Sequence, residues 1–177
     1  MNKGTLTDLK ERRSVRSFKP DPIKEEELAA ILEAGTYAPS GMGLQPSVII
    51  AVENKAIVDK LEKLNAIGRG KADSKPFYGA ATVLAVLSDK KSRPSTYQED
   101  GTLVIGNLLN AAYAAGVGSC WIHYARETFE SADGKALLKE WGVPDGFVGI
   151  GFCILGYPAG PHPEAKPRKP DYIIRVK

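Results

Sequence analysis

The chain has 177 residues, 43% of them apolar and 25% charged, a mixture that builds a core and excludes a disordered tail or a collagen-like fibre; at roughly 100–200 residues per domain it predicts a single domain over residues 1–177. Its 24 Lys and Arg against 21 Asp and Glu leave a formal charge of +3, an imbalance too small to imply a nucleic-acid surface. Cys120 and Cys153, its two cysteines, lie in apolar stretches, which excludes a disulfide framework and predicts a reducing, cytoplasmic setting.

The first thirteen residues mix Lys, Asp, Glu and Arg among few apolar ones, and so lack the ~7–15-residue apolar segment of a secretory signal. Thr5 or Thr7 is placed to cap a short first helix that carries Leu6 and Leu9 and stops at the basic residues Arg12, Arg13 and Arg16. After Pro20 and Pro22, the run Lys24-Glu25-Glu26-Glu27 opens a second helix with Leu28, Ile31, Leu32 and Gly35 on one face, ended by Pro39. Ser40-Gly41-Met42-Gly43 is then a loop, and the β-branched residues between Ser47 and Val52 predict the first strand. Helical spacing of Ile57, Val58, Leu61 and Leu64 predicts a helix over 55–65, and Gly68, Gly70 and Pro76 make 66–77 a loop. A buried strand over 81–87 and a long helix over 97–115 follow. That helix is apolar on nearly all sides from Leu103 onward, which demands burial all round; at residues 103–117 the apolar stretch falls short of the ~20 residues that cross a bilayer.

An extended segment over 116–122, a helix over 128–141 and an apolar strand over 147–155 complete the body. Pro158, Pro161, Pro163, Pro167 and Pro170 then hold an extended surface arm, tipped by a strand over 172–176 that has no local hairpin partner and is free to reach a second subunit. Late strands without regular crossover helices favour a mixed α+β fold over a doubly wound parallel sheet. An all-round apolar helix and a strand-tipped arm in a chain this small predict an obligate homodimer.

Arg12-Arg13-Ser14-Val15-Arg16-Ser17-Phe18 concentrates three guanidinium groups and two hydroxyls, a donor set suited to a phosphate or carboxylate, though also to a solvated helix end. Lys166, Arg168 and Lys169 form a second cluster in the proline-fixed arm. Gly149-Ile150-Gly151 lies inside an apolar strand, not at a strand-to-helix turn, and no phosphate loop ends in Gly-Lys-Ser/Thr, which argues against a dinucleotide fold. Cys120, His123, Cys153 and His162 have too loose a spacing for a zinc set. No Gly-x-Ser-x-Gly elbow is present, and two histidines leave a hydrolase few candidates for its base.

Four blocks in order resemble the FMN-dependent nitroreductase family over nearly the whole chain: RRSVRSF, YAPSGMGLQPS, EDGTLVIGNLLNAAYAAGVGSCWIH and KPRKP. The resemblance implies a mainly antiparallel sheet flanked by helices, and a homodimer with two FMN molecules at its interface and the carboxy-terminal arm exchanged between subunits. It implies that Arg12, Arg13, Ser14 and Arg16 bind the phosphate and ribityl chain, with Lys166 and Arg168 closing on the phosphate. Pro39, Ser40, Gly41 and Gln45 would approach the isoalloxazine from the partner subunit, Ile122 and His123 would pass its N5 edge, and Asn65 would face its polar edge.

Two positions depart from the family pattern: Gly43 stands where Asn is frequent and Ser47 where an aromatic follows Gln-Pro, which predicts a wider pocket over the flavin. His123, where relatives often carry Gly or Glu, is either a functional neighbour of N5 or a histidine packed beside Trp121. The expected activity passes electrons from NADH or NADPH, through flavin N5, to a nitroaromatic or quinone, with no catalytic side chain required. Reductive dehalogenation or oxidation on the same fold, and flavin binding without catalysis, are the alternatives.

Overall fold

The β-branched and apolar runs assemble into one sheet. In the computed structural model, which describes residues 3–177, β1 (Ser47–Val52), β2 (Thr82–Asp89), β3 (Gly118–Ile122) and β4 (Phe147–Gly156) lie in the order β1-β2-β4-β3, all neighbours antiparallel. Six helices flank them: α1 (Lys3–Glu11), α2 (Glu25–Thr36), α3 (Lys55–Gly68), α4 (Tyr97–Ala114), α5 (Ala125–Glu130) and α6 (Ala132–Glu140). The two central strands carry continuous apolar runs, Val83 to Leu87 in β2 and Phe147 to Leu155 in β4, because both their faces are covered. Val83, Ala85, Leu87, Phe152 and Ile154 pack with Val58, Leu61 and Phe129 of α3 and α5. On the other face, Leu84, Val86, Cys153 and Leu155 pack with Ile31, Leu108 and Ala112 of α2 and α4.

The Gly149-Ile150-Gly151 run is a bulge. Val86 pairs with Gly151 and Leu87 with Gly149, so Ile150 is the extra residue. A Cβ on Gly151 would lie 2.6 Å from the indole Nε1 of Trp121, and one on Gly149 would strike the Ala125 carbonyl. The two missing side chains seat Trp121 of β3 and the start of α5 against β4.

Several elements differ from their sequence expectations. Helix α1 already runs from Lys3, so Thr5 and Thr7 lie within it and do not cap it. Helix α3 continues to Gly68, one turn beyond Asn65. The helix expected over 128–141 is two: Ser131, extended at φ −64° and ψ 158°, ends α5, and its hydroxyl accepts the Gly134 N–H to cap α6. Among the described residues, 172–176 form no strand and join no sheet, and Tyr172, Ile173, Ile174 and Val176 are exposed. A strand needs a partner for its backbone groups, and none of the described strands pairs with this segment. Helix α4 buries Val104, Ile105, Leu108 and Ala112 but leaves Leu103 46% exposed, so within one chain it is covered on one side only.

Candidate functional site

The basic segment after α1 is fastened to the outer edge of β3. Ser14 bridges Ser119 in parallel, the Val15 N–H donates to the Ser119 carbonyl at 2.9 Å, and the Val15 side chain is buried. Alternation along an extended backbone then turns Arg12, Ser14 and Arg16 away from the direction of Val15 and Arg13. Arg12 and Ser14 line a cavity of about 580 Å³ with Thr102, Gly106, Trp121 and His123. Arg16 lines a second, of about 330 Å³, with Asn65, Arg69, Ile122 and Tyr124. Trp121 and His123 border both, so the end of β3 is their common wall.

Between the arginines lies Cys120. Its burial pushes the thiol up, against the opposing pull of Arg16, a hydrogen bond with Ser14, and Arg12. Cys153 behind it is raised further by complete burial. Both thiols are held protonated and play the part of small apolar residues.

Asn65 is fully buried, and its Nδ2 donates to the His123 carbonyl at 2.7 Å, while its Oδ1 is buried with no partner. The amide thus fixes the peptide at which β3 ends. Beyond it the chain turns sharply, with Tyr124 in a left-handed conformation at φ 66°. Exposed His123 stands between aromatic neighbours, its ring 5.5 Å from that of Trp121 and 4.8 Å from that of Tyr124.

The other expected residues lie apart from these cavities. Arg13 points to the opposite side, where its Nη1 donates to the carbonyls of Lys10 and Arg12 at 2.7 Å each. Pro39, Ser40 and Gln45 line a separate cavity of about 400 Å³ with Ser47 and Asp100, and Gly41 donates its N–H to Asp100. Lys166 and Arg168 are exposed on the arm, the guanidinium folded back onto the Lys166 carbonyl at 2.6 Å.

Sequence reasoning passed over Arg69, Arg126, Tyr78 and Tyr124, which also line the two cavities at the end of β3. Arg69 follows Asn65 by four residues, a spacing that places both on one helix face once α3 is extended by its last turn. Arg126, tied by Nη2 to the Tyr97 hydroxyl at 3.2 Å, left no local signal, because its position depends on the split between α5 and α6. The set is cationic, with Arg12, Arg16, Arg69 and Arg126 against Glu127. It suits a ligand with an anionic group and a flat apolar body.

The Nitroreductase family matches residues 9–157. A nitroreductase from Bacteroides fragilis, solved with bound FMN, superposes with a TM-score of 0.89 at 31% identity, covering 100% of both chains. An FMN reductase [NAD(P)H] from Bacillus subtilis is 27% identical over 96% of this chain and 71% of its own length. An iodotyrosine deiodinase from Thermotoga neapolitana is 29% identical over 90% of this chain and 91% of its own.

Proposed function

The chain belongs to the nitroreductase family, and from that premise we propose that it is an FMN-dependent oxidoreductase that takes electrons from NADH or NADPH and reduces a nitroaromatic or a quinone. The residues at the end of β3 fit the cofactor. The observation that carries the reading is the buried, unpartnered Oδ1 of Asn65 beside a cavity walled by Trp121 and ringed by guanidinium groups. A buried acceptor left alone costs free energy, and a bound flavin, whose ring carries an imide N–H, would bring a donor of the kind it lacks. Arg12, Ser14 and Arg16 would supply charge-assisted bonds to a phosphate dianion. When bound, FMN would supply two-electron redox chemistry, with NADH or NADPH as the source of hydride and the nitroaromatic or quinone as its destination.

The protein's own work is then positioning. Asn65 holds the His123 carbonyl and so orients the peptide past which the ring would lie. Trp121, seated over Gly151, supplies a flat wall that excludes water. No side chain in the set is required as a nucleophile or general base. The loop of Pro39, Ser40, Gly41 and Gln45 lines a cavity separate from those of Arg12, Arg16, Arg69 and Arg126 of its own chain, which supports a homodimer in which one subunit's loop meets the other's cofactor. The exposed side of α4, with Leu103 and the open position at Gly106, supplies an apolar surface for such a partner. The relative named as a deiodinase supports reductive dehalogenation as the second reading.

A visible spectrum of the purified protein, followed by anaerobic titration with NADH and NADPH, tests the proposal. Oxidised-flavin absorbance that bleaches with reductant and returns on adding a quinone is expected. A chain that takes up no FMN overturns it, and return of colour only with a halogenated phenol selects the second reading.

A further inference from the structure

We infer that Asp100, together with Thr96 and Arg93, is a positioning device that holds the Ser40-to-Gln45 turn in one shape and thereby sets which acceptors the site admits. The inference rests on the FMN-oxidoreductase reading above and extends it to residues outside the β3 cavities.

The turn does not hold its own shape cheaply. Met42 at φ 57°, Gly43 at φ 68° and Gln45 at φ 50° are left-handed, a conformation that L side chains avoid and that persists only where surroundings enforce it. Inside the turn, Ser40 Oγ accepts the Gln45 N–H at 2.9 Å and the Ser40 carbonyl accepts the Gly43 N–H at 2.9 Å. Met42, Gly43, Leu44 and Gln45 are exposed, so packing adds little.

The tether comes from the start of α4. Asp100 Oδ1 accepts the Gly41 N–H at 2.7 Å, and its Oδ2 accepts from the Thr96 hydroxyl at 2.9 Å. Thr96 Oγ1 in turn accepts from Arg93 Nε at 3.2 Å, and Arg93 Nη1 reaches Met42 Sδ at 3.5 Å. The fit is close: a Cβ on Gly41 would lie 2.5 Å from Arg93 Nη2 and 2.9 Å from Thr96 Oγ1. Backbone hydrogen bonds to a carboxylate are stronger than neutral ones, so a single such bond suits a turn with few other contacts.

The comparison with Glu99 separates this role from ordinary helix stabilisation. Both residues stand in the first turn of α4, where negative charge is favourable. Glu99 is exposed and serves there without desolvation, whereas Asp100 is 3% exposed and turned onto Gly41. Asp100 also lines the 400 Å³ cavity with Pro39, Ser40, Gln45 and Ser47. Releasing Gly41 would therefore loosen a cavity wall without touching the arginines at β3.

Asp100→Ala and Asp100→Asn test this on the FMN-loaded protein, with amide exchange at residues 41–45, FMN affinity, and KM and kcat for menadione and nitrofurazone measured together. Loss of one buried hydrogen bond to a charged group corresponds to roughly tenfold or more. Asp100→Ala is expected to speed exchange in the turn by that factor, to raise acceptor KM with less change in the rate of flavin reduction by NAD(P)H, and to narrow the difference between the two acceptors. Asp100→Asn retains an acceptor for Gly41 and should recover most of each effect. Arg93→Met, which leaves the buried carboxyl in place, should shift the same quantities in the same direction by a few-fold, and it decides the question if Asp100→Ala does not fold. Unchanged exchange and unchanged acceptor KM in folded variants overturn the inference. Should the wild type bind no FMN, the proposed function fails, and exchange in the turn still decides whether Asp100 holds it.

Discussion

The two basic clusters, at residues 12–16 and 166–169, look alike in the sequence and differ wholly in how they are held. The first is built into the body: Ser14 and Val15 pair with Ser119, and Val15 is buried. The second rides on an arm whose last ties to the body are Ala159 N–H to the Ser17 carbonyl at 3.0 Å and the His162 ring nitrogen at 2.8 Å from the Glu11 carbonyl. Among the described residues beyond His162, the hydrogen bonds are local, from Arg168 to Lys166 and from Tyr172 to Lys169. One half of the proposed phosphate clamp is thus preorganised, while the other must be ordered when it closes, and ordering costs about 0.5–1.5 kcal/mol for each immobilised long side chain.

The comparison breaks most readily at the proposed subunit interface, because among the described residues the arm beyond His162 makes only local hydrogen bonds and a second subunit would supply its seat. Leu103→Glu places a charge on the exposed apolar side of α4. Burying it unpaired in an interface costs several kcal/mol. Sedimentation should show a wild-type dimer at low micromolar concentration, and a variant that neither dimerises nor retains FMN. A folded, FMN-loaded wild-type monomer would sink both the interface and the shared site.

Single arginine losses sharpen the contrast between the two clusters. A charge-assisted bond to a dianion contributes roughly 1.5–3 kcal/mol, so Arg16→Ala should weaken FMN binding by about tenfold to a hundredfold. Arg168→Ala removes a similar bond but also the cost of ordering that side chain, and should lose less, on the order of several-fold. Fluorescence titration of FMN reads both. Equal losses would show that the arm is as preorganised as the β3 edge, and no loss in either would detach both clusters from the cofactor.

A third expected effect is smaller. Gly43 has nothing within 4 Å of its Cβ position, and Ser47 lines the 400 Å³ cavity, its hydroxyl 3.1 Å from that of Ser88. Filling that space with Ser47→Trp should lower turnover of large quinones a few-fold more than that of small nitroaromatics. Equal losses for both acceptors would show that Ser47 does not border their pocket.

The same distinction explains what was legible in the sequence. β1 falls on Ser47–Val52 as its β-branched run predicts, and β4 extends the expected strand by Gly156 alone. Those elements are set by local composition and by burial that a continuous apolar run announces. Ser131 was not legible as a break, because its two capping bonds, to Thr128 and from Gly134, depend on how α5 and α6 pack. Arg12, Ser14 and Arg16 were found as a cationic motif, but which of the three arginines turns aside follows only from the pairing of Ser14 with Ser119. The terminal strand belongs to the same class: periodicity marks residues able to pair and says nothing of the partner.

The smallest expected effect lies where the two regimes meet, at Tyr157, just before the arm. Its hydroxyl donates to Glu27 Oε2 at 2.6 Å, and the Lys24 N–H closes the group from the start of α2. The Tyr157 hydrogen bond, aided by the Lys24 N–H and charge, outweighs burial and holds the Glu27 carboxyl below its ordinary 4.5, while the same bond raises the Tyr157 phenol above 10.0. A lowered carboxyl contributes stability that is complete above pH 4.5 and disappears as pH falls through the folded-state value. A raised phenol contributes below pH 10.0 and loses its contribution as pH rises through its own folded-state value. Tyr157→Phe removes the alkaline edge and the hydroxyl's share of the acid one, so the stability difference from wild type should be flat between them, shrinking in acid below pH 4.5 and in alkali above pH 10.0. Thermal melts across that range read it directly. A difference that persists unchanged into acid would mean that Glu27 gains nothing from the hydroxyl, and that this end of the body is held by the backbone ties of Tyr157 and Ala159 to Lys19 and Ser17 alone.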